Sequence, residues 1–347
     1  MKKVILGLSG GVDSSVAAAL LKKQGYEVIG ITFKFVENFD AEDAIKVAKT
    51  LGIEHHVIDY RDIFKEKVID KFLNDYKSGI TPNPCVICNK NVKLRFLLDE
   101  MYKFNADFIA TGHYAKIEEG RLYKSVDKNK DQTYFLSQIT KEELNKILLP
   151  LEGIDKDEVR KIAREIGLTN ADKKDSTDVC FINKKFSEYI STNIKSTPGN
   201  IINIDNNEVL GKHKGLSYYT IGQRRGLDIG GTEGRCYVVG KDIKKNILYV
   251  AIGDNSDALI SDSAIIKDVN FFTENDVNKC TAKFRYRQAE EQVEIEYLDN
   301  NEVLVKYPQG IKSVTPGQAC VFYNNEECLG GGIIKEVRKN AEKLWYL

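Results

Sequence analysis

Residues 3–25 read "KVILGLSGGVDSSVAAALLKKQG", and the order of elements in this string decides the fold. "KVILGL" is a short unbroken apolar run, the form taken by a strand buried on both faces. "SSVAAALLKKQ" (14–24) predicts a helix that stops at Gly25. Between them, "SGGVDSS" (9–15) hands a strand over to a helix. Gly10 and Gly11 are free to take positive φ and bring backbone N–H groups close to an anion. The helix beginning near Ser14 adds its positive end, and Ser14 and Ser15 add hydroxyl donors. Asp13 would repel phosphate but suits a Mg²⁺ ion. The spacing GxxxxGK[ST] is absent, so no loop lysine waits for a γ-phosphate. The string reads as a cradle for a pyrophosphate end.

Outward from this loop the pattern repeats. "YEVIGITF" predicts a second strand and 40–52 a helix with Asp40 as N-cap. "EHHVIDY" predicts a third strand, and helices are expected over 61–77 and 89–104, followed by the strand "ADFIATGH". Such alternation implies a parallel sheet covered by helices on both faces. "DKNKDQ" (127–132) reads as a loop, and 157–167 as the last amphipathic helix. From about residue 200 short strands and turns take over, with a hairpin around Asn300–Asn301.

The composition is that of a globular chain with ample core: 347 residues, 42% hydrophobic and 29% charged. "MKKVILGL" imitates a signal peptide until the glycines and Asp13 break the run. No stretch approaches the roughly 18 apolar residues of a membrane span. Seven scattered cysteines form no disulfide framework and suit a reducing compartment, so a cytoplasmic protein is expected. Cys236, Cys280 and Cys320 lie in strand-like runs and read as core residues. The 51 basic and 51 acidic residues cancel, which excludes a blanket electrostatic grip on nucleic acid. The balance is +3 over 201–250 (8 basic, 5 acidic) and −6 over 251–300 (5 basic, 11 acidic). Any nucleic acid would be held by local patches.

"TPNPCVICNK" (81–90) poses a separate question. Its CxxC spacing admits a metal clip, a redox pair, or a nucleophile with a neighbour. Cys88 opens the helix-like "CNKNVKLRFLL", where the dipole with Lys90 and Lys93 is expected to lower its pKa. Cys180, in "KKDSTDVCFI" (173–182), follows polar residues and two lysines. Two thiols beside a pyrophosphate loop suggest sulfur transfer: ATP activates a carbonyl, and a persulfide delivers the replacing atom. "KFRYRQ" (283–288) alternates Arg with Tyr, which suits phosphate contacts beside base stacking but equally an exposed strand.

Eight strings in order, "GLSGGVDSS", "TPNPCVICNK", "ATGHYAKI", "KDQTYFLSQ", "KKDSTDVCFI", "YYTIGQRRGL", "FRYRQ" and "VTPGQACVFY", resemble the tRNA-specific 2-thiouridylase family of PP-loop ATP pyrophosphatases. The resemblance spans residues 3 to 334. It implies an N-terminal α/β PP-loop domain (1–196), a small central β-rich domain (197–258) and a C-terminal β-barrel (259–347). It implies 2-thiolation of the tRNA wobble uridine with ATP and Mg²⁺, a sulfur-donor protein such as a cysteine desulfurase or a relay, and a monomer. By motif position, Cys88 is the nucleophile and Cys180 the persulfide carrier. ATP contacts fall on Gly7, Leu8, Ser9, Gly10, Gly11, Val12, Asp13, Ser14, Phe33 and Gly112. Asn83, Pro84 and Cys85 lie where the family meets the target base. His113, Lys130, Asp131, Gln132, Arg285, Tyr286 and Gln318 match its tRNA contacts.

Three departures stand out. Cys85 replaces a frequent Asp, so that Cys85, Cys88 and Cys180 form a candidate ligand set for a [4Fe–4S] cluster. No second CxxC or His pair closes a zinc site. The stretch between Phe33 and Asp43 is short, and Asp178 stands where glycine is common, near enough to raise the Cys180 pKa against Lys173 and Lys174. Two rival readings are an amide-forming PP-loop ligase, which needs neither thiol, and a thiol–metal RNA-binding module, which leaves the loop without a purpose.

Overall fold

A computed structural model describes residues 1–174, 179–273 and 276–347. Strand β1 (Lys3–Gly7) is fully buried over Val4–Leu6 and leads into helix α1 (Val12–Lys23). Then come β2 (Glu27–Lys34), α2 (Glu42–Leu51) and β3 (Glu54–Asp59). Asp40 receives the Glu42 N–H at 2.8 Å from just outside α2, whose N-cap is Ala41. Gly52, at φ 60°, ends that helix in the left-handed conformation. The expected helix over 61–77 is α3 (Arg61–Phe64), a π-helical stretch (Lys65–Asp70) and α4 (Lys71–Lys77).

The second expected helix starts earlier than residue 89. It comprises α5 (Pro84–Cys88), a π-helical stretch (Asn89–Lys93) and α6 (Leu94–Lys103). Pro84 supplies the first-turn residue whose missing N–H costs nothing, and Asn83 caps it by accepting from Val86 N at 3.3 Å. Strand β4 (Phe108–Ala110) follows, then a hairpin of β5 (Ala115–Glu118) and β6 (Arg121–Lys124). Next are α7 (Thr133–Leu136), α8 (Lys141–Leu144), β7 (Ile147–Leu148), α9 (Lys156–Glu165) and α10 (Phe186–Asn193).

The first sheet has order β3-β2-β1-β4-β7, parallel throughout. Its winding reverses between β2 and β4, on either side of β1, so the loop leaving β1 opens into the crevice where such sheets bind ligands. A second sheet, β10-β11-β8-β9, contains β8 (Gly199–Asn203), β9 (Val209–His213), β10 (Cys236–Asp242) and β11 (Ile247–Ile252).

The last six long strands are β12 (Ile260–Phe271), β13 (Lys279–Lys283), β14 (Glu291–Leu298), β15 (Glu302–Lys312), β16 (Ala319–Asn324) and β17 (Glu327–Lys339). They run β12-β15-β14-β13-β16-β17, and β12 pairs again with β17, closing an antiparallel barrel. Asn300 and Asn301 turn its β14–β15 hairpin at φ 60° and 57°. Cys280 and Cys320 lie in the barrel core, and Cys236 in the core of the second sheet.

The hairpin β5–β6 leaves the parallel domain and extends the barrel sheet, with Leu122 opposite Cys328. One apolar cluster therefore joins Leu94, Leu97 and Tyr134 of the first domain to Val321 and Tyr323 of the barrel. Among the described residues no helix is long and apolar enough to cross a membrane.

Candidate active site

The loop after β1 is shaped by one glycine, not two. Gly10 has φ 73°, and a Cβ there would stand 2.8 Å from Ala44 N. Gly11 is extended (φ −81°, ψ 157°) and caps α1 with its backbone. The hydroxyls of Ser14 and Ser15 both donate to Gly11 O, at 3.1 and 2.8 Å. Ser15 is wholly buried and also receives the Asn170 amide at 2.9 Å, so it braces the loop from behind instead of facing an anion. Asn170 donates to Gly10 O as well, at 2.9 Å. Gly112 presses on the loop from β4: a Cβ would lie 2.8 Å from Asp13 C and Ser14 N. Phe33 is buried in a ring cluster, 5.4 Å from both Phe35 and Tyr60.

Asp13 is not idle. Its Oδ1 accepts from Lys156 Nζ at 2.7 Å and from the Tyr114 hydroxyl at 2.6 Å. The carboxylate is still one-third exposed in the first turn of α1. These residues fit ATP and a Mg²⁺ ion carried with it. Asp13 would hold the ion, whose chemistry is to neutralise pyrophosphate charge. Sequence reasoning missed Lys156, which reaches the loop across 143 positions with no motif around it.

From Gly112 the chain steps to His113, which is buried. Lys93 Nζ lies 3.1 Å from His113 Nε2, and Thr111 Oγ1 lies 2.8 Å from Nδ1. An ammonium can only donate, so Nε2 accepts and the ring proton sits on Nδ1. Burial, helped by Lys93, holds the His113 pKa well below its ordinary value, and the ring is neutral.

Lys93 is also the cation shared by the thiols. Cys85, Cys88 and Cys180 are all free. Each is pushed up in pKa by burial first, and Lys93 pulls each down. Charge on Cys180 opposes ionisation of both Cys85 and Cys88, so the three thiols are electrostatic neighbours. Cys85 and Cys180 are exposed to solvent, whereas Cys88 is half-buried. Burial accordingly acts most strongly at Cys88, whose pKa is pushed up to about 12 despite Lys93 and its backbone N–H.

The expected lowered pKa at Cys88 is thus corrected. Cys88 ends α5, a turn beyond the helix start, and Lys90 bonds Gln138 at 2.9 Å instead of serving the thiol. The [4Fe–4S] set also does not fit: among the described residues no three His, Cys, Asp or Glu side chains gather as metal ligands. Asp178 lies outside the described residues.

The residues expected to touch tRNA separate into two groups. Asn83, Pro84 and Cys85 form the start of the helix that carries Cys88, and His113 bonds Lys93. Gln132 accepts from Tyr114 N at 2.9 Å and Asp131 accepts from Thr133 Oγ1 at 2.8 Å, both holding the 127–132 loop that carries Lys130. Arg285 and Tyr286 lie in a turn after β13, not in a strand. Arg285 donates to Ile221 O (2.6 Å), Ser313 O (2.9 Å) and Thr315 Oγ1 (2.6 Å). Tyr286 packs 4.4 Å from the Phe135 ring. Gln318 Nε2 donates to Thr81 O at 2.8 Å and Pro82 O at 3.3 Å, so it holds the extended segment leading into α5. Tyr134 adds a second tie, hydrogen-bonded to Asn83 and donating to Ala319 O at 2.9 Å.

A parallel sheet with this loop at its switch point is a PP-loop fold. The chain matches three family descriptions in order: "tRNA methyl transferase HUP domain" over 2–184, "tRNA methyl transferase PRC-barrel domain" over 187–252 and "Aminomethyltransferase beta-barrel domain" over 261–334. It is 46% identical over 365 aligned positions to the tRNA-specific 2-thiouridylase MnmA of Bacillus licheniformis, covering 99% of this chain and 98% of that one. The corresponding Bacillus subtilis protein is 44% identical with the same coverage. A solved predicted subunit of tRNA methyltransferase from Methanocaldococcus jannaschii is 25% identical, covering 48% of this chain and 76% of that one with TM-score 0.34. The chain belongs to the tRNA-specific 2-thiouridylase family.

Proposed function

We propose that this chain is the enzyme that makes 2-thiouridine at the wobble position of tRNA, with ATP as activator and a cysteine persulfide as sulfur source. One observation carries this reading: the nucleotide loop and the thiols are joined by a continuous path, Asp13–Gly112–His113–Lys93, with Lys93 acting on Cys85, Cys88 and Cys180.

The uracil leaves its stack so that C2 can be reached. Its O2 attacks the α-phosphorus of ATP, and pyrophosphate departs from the positive end of α1. Cys180, loaded as Sγ–SH by a donor protein, supplies the sulfur. Either the outer sulfur attacks C2 and Cys88 then cleaves the S–S bond, or Cys88 first attacks Cys180 Sγ and frees hydrosulfide, which attacks C2. In both routes AMP leaves with the former O2, and a Cys88–Cys180 disulfide forms. An external thiol reduces it for the next turnover. Cys88 must lose its proton before it attacks, and Lys93 is the cation placed to favour that. The same reading takes the protein to be a cytoplasmic monomer whose partners are tRNA and the sulfur donor.

Nucleoside mass analysis of tRNA after incubation with ATP and a sulfur donor tests this. Wild type should yield 2-thiouridine, while Cys88→Ser and Cys180→Ser should yield none yet bind tRNA within about twofold of wild type. Thiolation by either variant at the wild-type rate would overturn the assignment.

A further inference from the structure

Residues 78–83 carry the chain from α4 to α5, the helix that ends at Cys88. Both later domains hold this segment and the end of α4 before it. From the barrel side, Pro316 O accepts from Thr81 N at 3.2 Å, beside the bonds from Gln318. From the side of the second sheet, Ser217 Oγ donates to Tyr76 O at 3.2 Å, and Thr220 is hydrogen-bonded to Tyr76. Lys241 Nζ, on β10, donates to Gly79 O at 3.1 Å. Gly79 takes φ 79°, and a Cβ on it would stand 2.8 Å from Ile243 Cδ1, so the turn fits closely against the end of β10.

This arrangement works against stability. Lys241 is half-buried as a residue, but its ammonium lies inside, and burial alone brings its pKa down to about 7. Among the described residues no carboxylate pairs with it, and an ammonium buried in that way is costly. An apolar side chain of similar length would avoid the cost. Thr81 Oγ1, in the same segment, is buried with no hydrogen-bond partner among the described residues. Such costs persist where they fix a geometry that function needs. Protonated or neutral, the amine carries an N–H for Gly79 O, so its grip does not depend on its charge.

We propose that Lys241 is a positioning residue for the thiolation reaction: by holding Gly79 O it fixes the entry into α5 and thereby the place of Cys88. The proposal rests on the reading of Cys88 as the attacking thiol. Asn83, the cap of α5, follows Gly79 closely, and α5 is only Pro84–Cys88. A shift of the turn therefore reaches the sulfur through little more than one helical turn, and attack is sensitive to displacements of about 1 Å.

Lys241→Met, which keeps the stem and loses every N–H, separates this role from an ordinary structural tie. Below pH 7 its thermal midpoint should exceed that of wild type by at least about 2 °C. Amide exchange should quicken over residues 78–88 and stay unchanged in β1 and α1. Thiolation of tRNA should nevertheless fall about tenfold in kcat, with KM for ATP within about twofold of wild type. A lower thermal midpoint would overturn the proposal, because Lys241 would then serve stability alone. Thiolation within about twofold of wild type, or a loss of kcat without faster exchange over 78–88, would overturn it too. Failure of the wild type to form 2-thiouridine would instead overturn the reading of the thiols, while the exchange comparison would still report whether Lys241 holds the segment.

Discussion

Lys93 donates to His113 Nε2 across 3.1 Å, and this single contact joins the nucleotide half of the site to the sulfur half. His113 follows Gly112, which has no room for a Cβ against Asp13 and Ser14. Lys93 closes the π-helical stretch immediately after Cys88. A wider helical turn recurs at functional sites because it redirects one side chain without ending the helix. Anything that shifts the loop after β1 is therefore felt one residue from the ammonium that serves the thiols.

The thiol electrostatics predict an order of reactivity. At pH 8 a group with a pKa of about 12 has roughly one part in ten thousand ionised, so Cys88 should resist iodoacetamide while Cys85 and Cys180 react first. Cys236, Cys280, Cys320 and Cys328 are buried and should label only on unfolding. Labelling of Cys88 should increase as pH rises toward 12. Lys93→Met should slow Cys85 and Cys180 by about three- to tenfold at pH 8, because the cation that lowers both pKa values is gone. Mass spectrometry of timed labelling checks both, and Cys88 labelling ahead of Cys180 would contradict the burial argument.

Gln318 predicts long-range control of the thiol helix. Gln318→Ala removes the donor to Thr81 O and Pro82 O, weakening the hold of the barrel on the segment before α5, which keeps its bond from Thr81 N to Pro316 O. The loss should cost about 0.5–1.5 kcal/mol of stability, in line with other hydrogen bonds of this kind. Amide exchange should quicken over residues 80–88 and stay unchanged in β1 and α1. Uniform exchange across the chain would show that the tie is not local.

Lys241 predicts a pH-dependent junction. It lies on β10 and donates to Gly79 O at 3.1 Å, and burial brings its pKa down to about 7. An unfolded lysine titrates near 10.4. The folded form therefore binds fewer protons between those values. Below about pH 7 the full cost of burying the ammonium is felt, and it disappears as pH rises toward about 10.4. Relative to wild type, Lys241→Met should be most stabilised below pH 7, with the advantage shrinking at higher pH. Thermal midpoints of the pair at pH 6, 8 and 9.5 measure it, and a constant difference would contradict the assignment.

Much of the first domain was legible because its signals are local. The apolar run at 4–6, the glycine at 10 and the acidic first turn of α1 are all encoded within a dozen residues. The chain order of strands and helices then leaves a right-handed parallel sheet as the natural solution. The hairpin at Asn300–Asn301 was legible for the same reason, since adjacent asparagines tolerate positive φ. The start of α5 was misplaced because "TPNP" suggests extended chain, while Asn83 and Pro84 together supply a cap and a first turn.

Sequence alone determined the parallel sheet, the phosphate cradle and the pair of distant thiols, because each rests on residue types at short fixed spacings. Only tertiary structure decided that Lys156 faces Asp13, that Gln318 and Arg285 bind backbone of their own chain, and that Cys88 is protonated at neutral pH. Those outcomes depend on long-range packing. A thiol's ionisation is set by how much water and how many charges surround it, and neither is written in the residues beside it.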